Sequence, residues 1–390
     1  MKWGIVNEDF TSHTINPKFG GPVKGVYYLS EELSKRGHEI TLITTDLNYN
    51  ENYVIELEKQ GVEVICFKCV FNFASFLYSP SMEKWIKSNI QKFDLIDLHE
   101  FRSYQNNIVH IYSKLYDKPY ILQAHGSVLP FFQKQKLKKV YDFFWGYKLL
   151  KDAAIVIALT ETELNQYKKM GVPENKIEII PNGINLIKDQ NLPKRGLFRK
   201  KYDIKNDENV ILYLGRIHKI KGIDLLLKSF YLLSKEMGNI KLIIVGPGKT
   251  SNLKKMIKGS LIENKVIFTG PLYGENKYEA FIDSDLYVLP SIYEAFGHTV
   301  LEAFSFSKPV VVTEGCGIKD IIHKRAGYAV KYDKNSLKDA MFSILNDEDL
   351  KRSFGENGKV IVSKVFNLDI VMNKIELLYK NIVREFNEKS

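Results

Sequence analysis

Three cysteines in 390 residues are too few for a disulfide framework. Cys66-Phe67-Lys68-Cys69 has the spacing of a ligand pair. No second Cys or His pair lies near it, so packing in a strand is expected rather than zinc or redox use. No apolar run is long enough to cross a bilayer. The opening Met1-Lys2-Trp3-Gly4-Ile5-Val6-Asn7 meets Glu8-Asp9 too early for a signal peptide and reads as a first strand, which makes the cytoplasm the expected compartment. Three chemical signatures are missing as well. There is no G-x-G-x-x-G tightly after a strand. Gly246-Pro247-Gly248-Lys249-Thr250 has only the tail of a Walker A loop, because Ile243 stands where the first glycine belongs. No RNP-like, zinc-finger or helix-turn-helix pattern accompanies the net charge of +10, so nucleic acid is not an expected partner. Asp283-Ser284-Asp285 precedes a strand instead of ending one; it reads as a turn, and no metal site is expected.

What the chain does have is length and alternation. With 390 residues it exceeds one comfortable hydrophobic core, so two domains are expected. Short apolar runs alternate with amphipathic stretches, the pattern of parallel sheets covered by helices. In the first half the strands read Trp3–Asn7, Glu39–Thr44, Val62–Phe67, Leu95–His99, Tyr120–Gln123, Ala154–Leu159 and Ile177–Ile180, with a helix at Val23–Arg36 closed by Gly37. A polar, irregular run follows Pro181-Asn182-Gly183 and lasts to about Asn209. A second series then starts at Val210–Gly215 and continues through Lys241–Gly246, Val266–Gly270, Leu286–Leu289 and Pro309–Thr313. The expected division is an N-terminal domain over 1–183, a linker over 184–209, a C-terminal domain over 210–367, and a last helix over 368–390. Both domains are α/β, doubly wound and Rossmann-like.

In open parallel sheets ligands bind beyond the carboxyl ends of the strands, where Gly215, Gly246 and Gly270 sit. The most informative stretch is Ser291-Ile292-Tyr293-Glu294-Ala295-Phe296-Gly297-His298-Thr299-Val300-Leu301-Glu302. It leads from a strand into a helix. Glu294 falls on the turn, Glu302 on the helix, and the N–H groups of a helix start lie between them and attract phosphate. Hydroxyl acceptors thus flank an anion site, which suits a diphosphate with a sugar on either side. His298 joins the donor-binding candidates at the same helix start. In Gly215-Arg216-Ile217-His218-Lys219-Ile220-Lys221-Gly222, Arg216 and Lys221 could neutralise a leaving diphosphate. Gly20-Gly21-Pro22, just before a helix, lets backbone N–H groups approach phosphate or sugar. His125, in Gln123-Ala124-His125-Gly126-Ser127, lies directly beyond an apolar strand and could donate to a sugar hydroxyl or phosphate.

Together these motifs resemble the retaining, nucleotide-sugar-dependent glycosyltransferases of the GT-B fold, glycosyltransferase group 1 (family 4). The resemblance rests on Glu294-x7-Glu302, Gly215-Arg216 with Lys221-Gly222, Ile180-Pro181-Asn182-Gly183-Ile184, Gly20-Gly21, His125-Gly126, Leu159–Glu163 and Gly315-Cys316-Gly317-Ile318. It implies two domains facing a cleft, the N-terminal one (1–183) acceptor-binding and the C-terminal one (210–367) nucleotide-sugar-binding, with the last helix (368–390) crossing back to the first domain, and a metal-independent hexosyltransferase with no cofactor beyond its UDP- or GDP-sugar substrate. The acceptor it implies is a saccharide or lipid-linked glycan, as in surface polysaccharide, glycolipid or glycoprotein glycan synthesis. By the same resemblance Glu302 holds the ribose and Glu294 the donor sugar, while Arg216 and Lys221 stabilise the diphosphate. His125 sits near the donor sugar, the backbone at Gly21, Phe296 and Gly297 contacts phosphate or sugar, and the strand end with Phe268 and Thr269 borders the base. A front-face route is expected, because both carboxylates lie on one side of the phosphate site. The competing readings are a sugar-nucleotide epimerase or phosphorylase on the same fold, and a non-catalytic nucleotide-sugar-binding protein.

Two segments stand outside that chemistry. Residues 131–148 carry five lysines from Lys134 onward against one acid, Asp142, interleaved with Phe131, Phe132, Tyr141, Phe143, Phe144, Trp145 and Tyr147. The segment reads either as a peripheral contact with the cytoplasmic membrane face or as a helix with a solvated lysine face and buried aromatics; for the aromatics, burial is expected. Phe71-Asn72-Phe73-Ala74-Ser75-Phe76-Leu77-Tyr78 reads as a packed loop or as part of an acceptor or lipid groove, with the packed loop expected.

Overall fold

The computed structural model describes residues 1–6, 21–47, 51–73, 76–129, 134–186 and 192–388. Gly20, Asn7, Ala74, Ser75, Phe131 and Phe132 lie outside the described residues, and so do residues 187–191. The chain divides into two compact units, Met1–Gly183 with Asp369–Ser390, and Ile184–Leu368.

In the first unit the strands are β1 (Lys2–Val6), β2 (Glu39–Thr45), β3 (Val62–Phe67), β4 (Phe71–Phe73), β5 (Phe76–Tyr78), β6 (Leu95–His99), β7 (Tyr120–Gln123), β8 (Ile155–Ala158) and β9 (Ile177–Ile179). Seven of them form one parallel sheet in the order β3-β2-β1-β6-β7-β8-β9. Every residue of β6 and β7 is buried, as expected for strands covered by helices on both faces. The strand order reverses direction between β1 and β6, which makes that point a ligand crevice. The last helix, Leu368–Asn387, belongs to this unit from Asp369 onward. Val371, Ile375, Tyr379, Ile382 and Val383 form its buried stripe at helical spacing.

The second unit holds β10 (Asn209–Leu214), β11 (Ile240–Val245), β12 (Val266–Gly270), β13 (Leu286–Leu289), β14 (Val310–Thr313) and β15 (Gly327–Val330). They form a six-stranded parallel sheet in the order β12-β11-β10-β13-β14-β15, with its switch point between β10 and β13. The fold class is thus α/β with two doubly wound parallel sheets.

Three expectations need correction. First, the run before Asn209 is not irregular throughout: Leu197–Lys201 is helical and packed within the second unit. Buried Arg199 donates to Asp285 Oδ2 (2.9 Å), and Asp283 accepts from the backbone N–H groups of Gly196 and Arg199. Both aspartates of the D-x-D are therefore occupied in holding this helix to the sheet. Second, Phe71–Phe73 and Phe76–Tyr78 are strands and not a loop, although Leu77 is buried and Phe76 packs on the core as expected. β4 and β5 pair antiparallel, and Phe71 and Tyr78 are exposed. Third, four aromatics of the basic segment are not buried: Phe143, Phe144, Trp145 and Tyr147 are exposed, Tyr141 is half-buried, and Asp142 and Gly146 face inward instead. Asp142 takes an inward position because Arg102 holds it in a two-pronged ion pair, with Nε to Oδ1 at 2.8 Å and Nη2 to Oδ2 at 2.7 Å. That pairing spans 40 residues and leaves no local trace in the sequence.

Candidate active site

Beyond the carboxyl ends of β10 and β13 the chain makes loops that are stitched together backbone to backbone. Ile217 N donates to Pro247 O (2.8 Å), Gly246 N to Gly270 O (3.0 Å) and Ile292 N to Ile220 O (2.8 Å). Glu294 N donates to Gly315 O (2.9 Å), and Gly317 N to Glu294 O (2.8 Å). The incomplete Walker tail at Gly246 has a structural reason. Gly246 has φ near 146°, and a Cβ there would stand 1.8 Å from Gly215 O. Two buried tyrosines support the assembly from below. Tyr213 Oη donates to Arg216 O (2.9 Å), Tyr287 Oη donates to Leu214 O (3.1 Å), and Tyr287 Oη and Thr299 Oγ1 are hydrogen-bonded at 2.6 Å. Burial raises the pKa of both phenols far above the ordinary tyrosine value, so they stay protonated donors.

On this platform Lys221 Nζ is ion-paired with Glu294 Oε2, both side chains half-buried. Lys277 Nζ pairs with Glu302 Oε1 at 2.8 Å. Arg216 is exposed and has no acidic partner among the described residues. The helix His298–Ser305 starts at Gly297 (φ 95°), which has no side chain to cap the first N–H groups. Those N–H groups and the helix dipole favour an anion there. Phe296 is buried, with its ring edge-on to Phe366 at 5.7 Å, so only its backbone is offered. The His298 ring lies against Phe296 (5.3 Å). Beneath the turn, burial pushes the Cys316 thiol up to about 12, and its Sγ lies 3.4 Å from the position a Gly297 Cβ would take. At the end of β12, Thr269 donates its hydroxyl to Gly270 O (2.8 Å), and Lys254 lies over the Phe268 ring (5.7 Å). Arg216, Lys221, Gly246, Glu294, Phe296, Gly297 and His298 thus share one set of loops. Glu302 stands one turn into the helix, and Phe268 and Thr269 lie at the sheet's far edge.

In the first unit, Gly21 heads the helix Gly21–Lys35. His125 occupies the left-handed region (φ 49°) directly after β7, and Gly126 follows it there (φ 85°). For a histidine this is strain of about 1–3 kcal/mol that the surroundings must hold. Glu163 does much of the holding: Oε1 accepts from Gly126 N (2.6 Å) and Oε2 from Leu159 N (2.7 Å). Burial pushes its carboxyl up to about 7, against the pull of those two N–H groups. His125 Nε2 lies 2.8 Å from His99 Nδ1, and His99 Nε2 lies 3.1 Å from Asp97 Oδ2. The same Asp97 oxygen accepts from Tyr379 Oη on the last helix. The two imidazoles also stack, with ring centroids 5.1 Å apart.

Lys277, Tyr213, Tyr287, His99, Asp97 and Tyr379 carried no motif in the sequence. Glu163 did, because Thr160-x-x-Glu163 is a capping-box spacing. Thr160 does accept from Glu163 N (3.2 Å), but the carboxylate turns instead to the His125 loop.

Two doubly wound parallel sheets, one with a cation–carboxylate pair and a bare helix start at its switch point, are the architecture of GT-B glycosyltransferases. Residues 194–360 match the family described as Glycosyl transferases group 1, and residues 19–188 match Glycosyltransferase Family 4. The chain belongs to this glycosyltransferase family. An uncharacterized glycosyltransferase of Methanocaldococcus jannaschii is 26% identical over 367 residues, covering 90% of this chain and 92% of its own. The N-acetyl-alpha-D-glucosaminyl L-malate synthase of Bacillus anthracis is 24% identical over 385 residues, covering 95% and 97%. Among solved structures, HepE from Anabaena in complex with UDP superposes with a TM-score of 0.80 at 17% identity, covering 98% of this chain and 100% of its own.

Proposed function

We propose that the chain transfers a hexose, with retention and without a metal, from a UDP- or GDP-sugar to a saccharide or lipid-linked glycan. The observation that carries this reading is the Lys221–Glu294 ion pair, set beside exposed Arg216 and the uncapped start of the helix His298–Ser305. Breaking a glycosyl–phosphate bond leaves negative charge on the diphosphate. Arg216, Lys221 and the helix-start N–H groups supply fixed positive charge for it, the work a divalent ion does elsewhere. Glu294 then orients the donor sugar while its charge is balanced by Lys221, which does not suit a free nucleophile. Glu302 accepts from the ribose hydroxyls, with Lys277 fixing its rotamer. His125 meets the donor sugar. On this front-face route the departing phosphate takes the acceptor proton. Trapping a covalent sugar on Glu294 overturns the route.

The test is calorimetric titration with UDP-, GDP- and ADP-sugars, then turnover with extracted lipid-linked glycans and NMR of the product's anomeric configuration. Glu302→Ala is expected to weaken donor binding roughly tenfold or more. Lys221→Ala is expected to lower kcat by about 10²-fold with a smaller effect on donor affinity. Full activity in both variants refutes the site.

A further inference from the structure

The stretch from Lys134 to Lys151 turns its largest apolar side chains toward solvent. It runs as a helix (Gln135–Tyr141), a π-helical turn (Asp142–Gly146) and a second helix (Tyr147–Asp152). Phe143 is 71% exposed, and Leu137, Val140, Phe144, Trp145 and Tyr147 are exposed with it. A surface helix ordinarily packs such residues inward. Here the inward positions go to Asp142, Gly146, Leu149 and Leu150. Asp142 is clamped by Arg102, which also donates to the carbonyls of Ser127 and Val128. Gly146 lets the helix lie directly on the core: a Cβ there would come 2.7 Å from Asp142 Oδ1 and 3.2 Å from Phe101 Cζ. Tyr147 N bonds to Asp142 O, a five-residue step that widens the turn and sends Phe143, Phe144 and Trp145 outward in succession. A buried ion pair and a glycine thus fix this segment with its aromatics out.

Charge surrounds those aromatics. Lys134, Lys136, Lys139, Lys148 and Lys151 are exposed, and the one acid between Lys134 and Lys151 is the buried Asp142. A second element extends the surface. Val70, Phe71 and Tyr78 of the β4–β5 hairpin are exposed, and the Tyr78 ring stands 5.0 Å from Tyr104. Tyr141 Oη donates to Asn107 Oδ1 (2.6 Å) and lies 3.3 Å from Ser103 O. Hairpin and helix therefore both rest on the first turn of the helix Tyr104–Leu115.

We propose that this face docks on an anionic lipid bilayer, with the aromatics at the headgroup–acyl boundary and the lysines among the phosphates. The charge pattern selects that occupant. A second copy meeting this face about a two-fold axis would oppose lysines to lysines, whereas anionic headgroups complement them. Docking needs no donor sugar, so it stands or falls independently of the proposed reaction.

The test uses the full chain with vesicles of phosphatidylcholine alone or with about one-third phosphatidylglycerol. The chain is expected to co-sediment with the anionic vesicles and to be released by salt. Trp145 is exposed whereas Trp3 is buried and Trp85 partly so, and its emission should shift to the blue on binding. Phe143→Ser with Phe144→Ser should lower partitioning about tenfold or more, and Lys136→Glu with Lys139→Glu should abolish the preference for anionic lipid. Thermal unfolding and donor titration show whether each variant is folded. Three results overturn the proposal. They are equal binding to both vesicle types, unchanged partitioning of folded variants, or a solution oligomer that Phe143→Ser dissociates without lipid.

Discussion

Replacing Glu163 by Gln tests whether the His125 turn is held by a carboxylate that titrates near neutrality. In the folded chain this carboxyl titrates at about 7, and in the unfolded chain at 4.5. Burial is the larger cause of the rise, and the N–H groups of Gly126 and Leu159 oppose it. A carboxyl raised on folding makes the folded state bind the extra proton. Its contribution is complete below pH 4.5 and is lost as pH rises toward 7, beyond which it is flat. At about 1.4 kcal/mol per pH unit, the interval from 4.5 to about 7 corresponds to a loss of up to about 3 kcal/mol. Gln has the same shape and no such titration. It also has one acceptor oxygen where Glu163 uses two, so either Gly126 N or Leu159 N is left unbonded, at about 1–3 kcal/mol. The assay is urea unfolding of both proteins at a series of pH values from 4.5 to 8, comparing midpoints at constant m. The difference between the two proteins removes every other titrating group. The wild-type advantage should shrink as pH rises across this interval. A constant difference refutes the claim that Glu163 is protonated in the folded chain below neutral pH.

Two further perturbations separate the supports of the site. Gly246→Ala forces a Cβ against Gly215 O and should cost about 2–4 kcal/mol in urea unfolding while weakening donor binding through the displaced Arg216 loop; an unchanged midpoint contradicts the close approach. His99→Phe removes the ring nitrogen 2.8 Å from His125 Nε2. It should lower kcat roughly tenfold and move the pH–rate profile, which simple destabilisation leaves in place; an unmoved profile with full kcat refutes the positioning role.

How much of this is legible in the sequence depends on how far apart the partners lie. Val62–Phe67, Leu95–His99, Tyr120–Gln123, Val266–Gly270 and Leu286–Leu289 appear in the structure with the bounds read from their apolar runs. Such runs are local, and a buried parallel strand leaves nothing else to write at those positions. β15 escaped, because Gly327-Tyr328-Ala329-Val330 has a glycine and an alanine in place of a continuous run of bulky apolar residues, and so did the β4–β5 hairpin. The glycines at 215 and 246 were legible as strand ends, and at 246 close backbone approach admits no other residue, since a Cβ there meets Gly215 O. The aromatics of residues 143–147 were misplaced for the opposite reason. Apolarity alone puts them inside, and the ion pair with Arg102, 40 residues away, together with the close approach at Gly146, turns them out.

The histidine relay shows what was missing more sharply. Asp97 and His99 alternate on one face of β6, as the two-residue strand period requires. The parallel register pairs His99 with Gln123, so the chain leaves β7 at that level and His125 follows two residues later. Left-handed φ at His125 then swings its ring back toward His99 instead of onward with the strand. Every residue type needed for the relay was visible in the sequence. The register between β6 and β7 and the sign of one dihedral were not, and these two quantities bring three separate polar residues together.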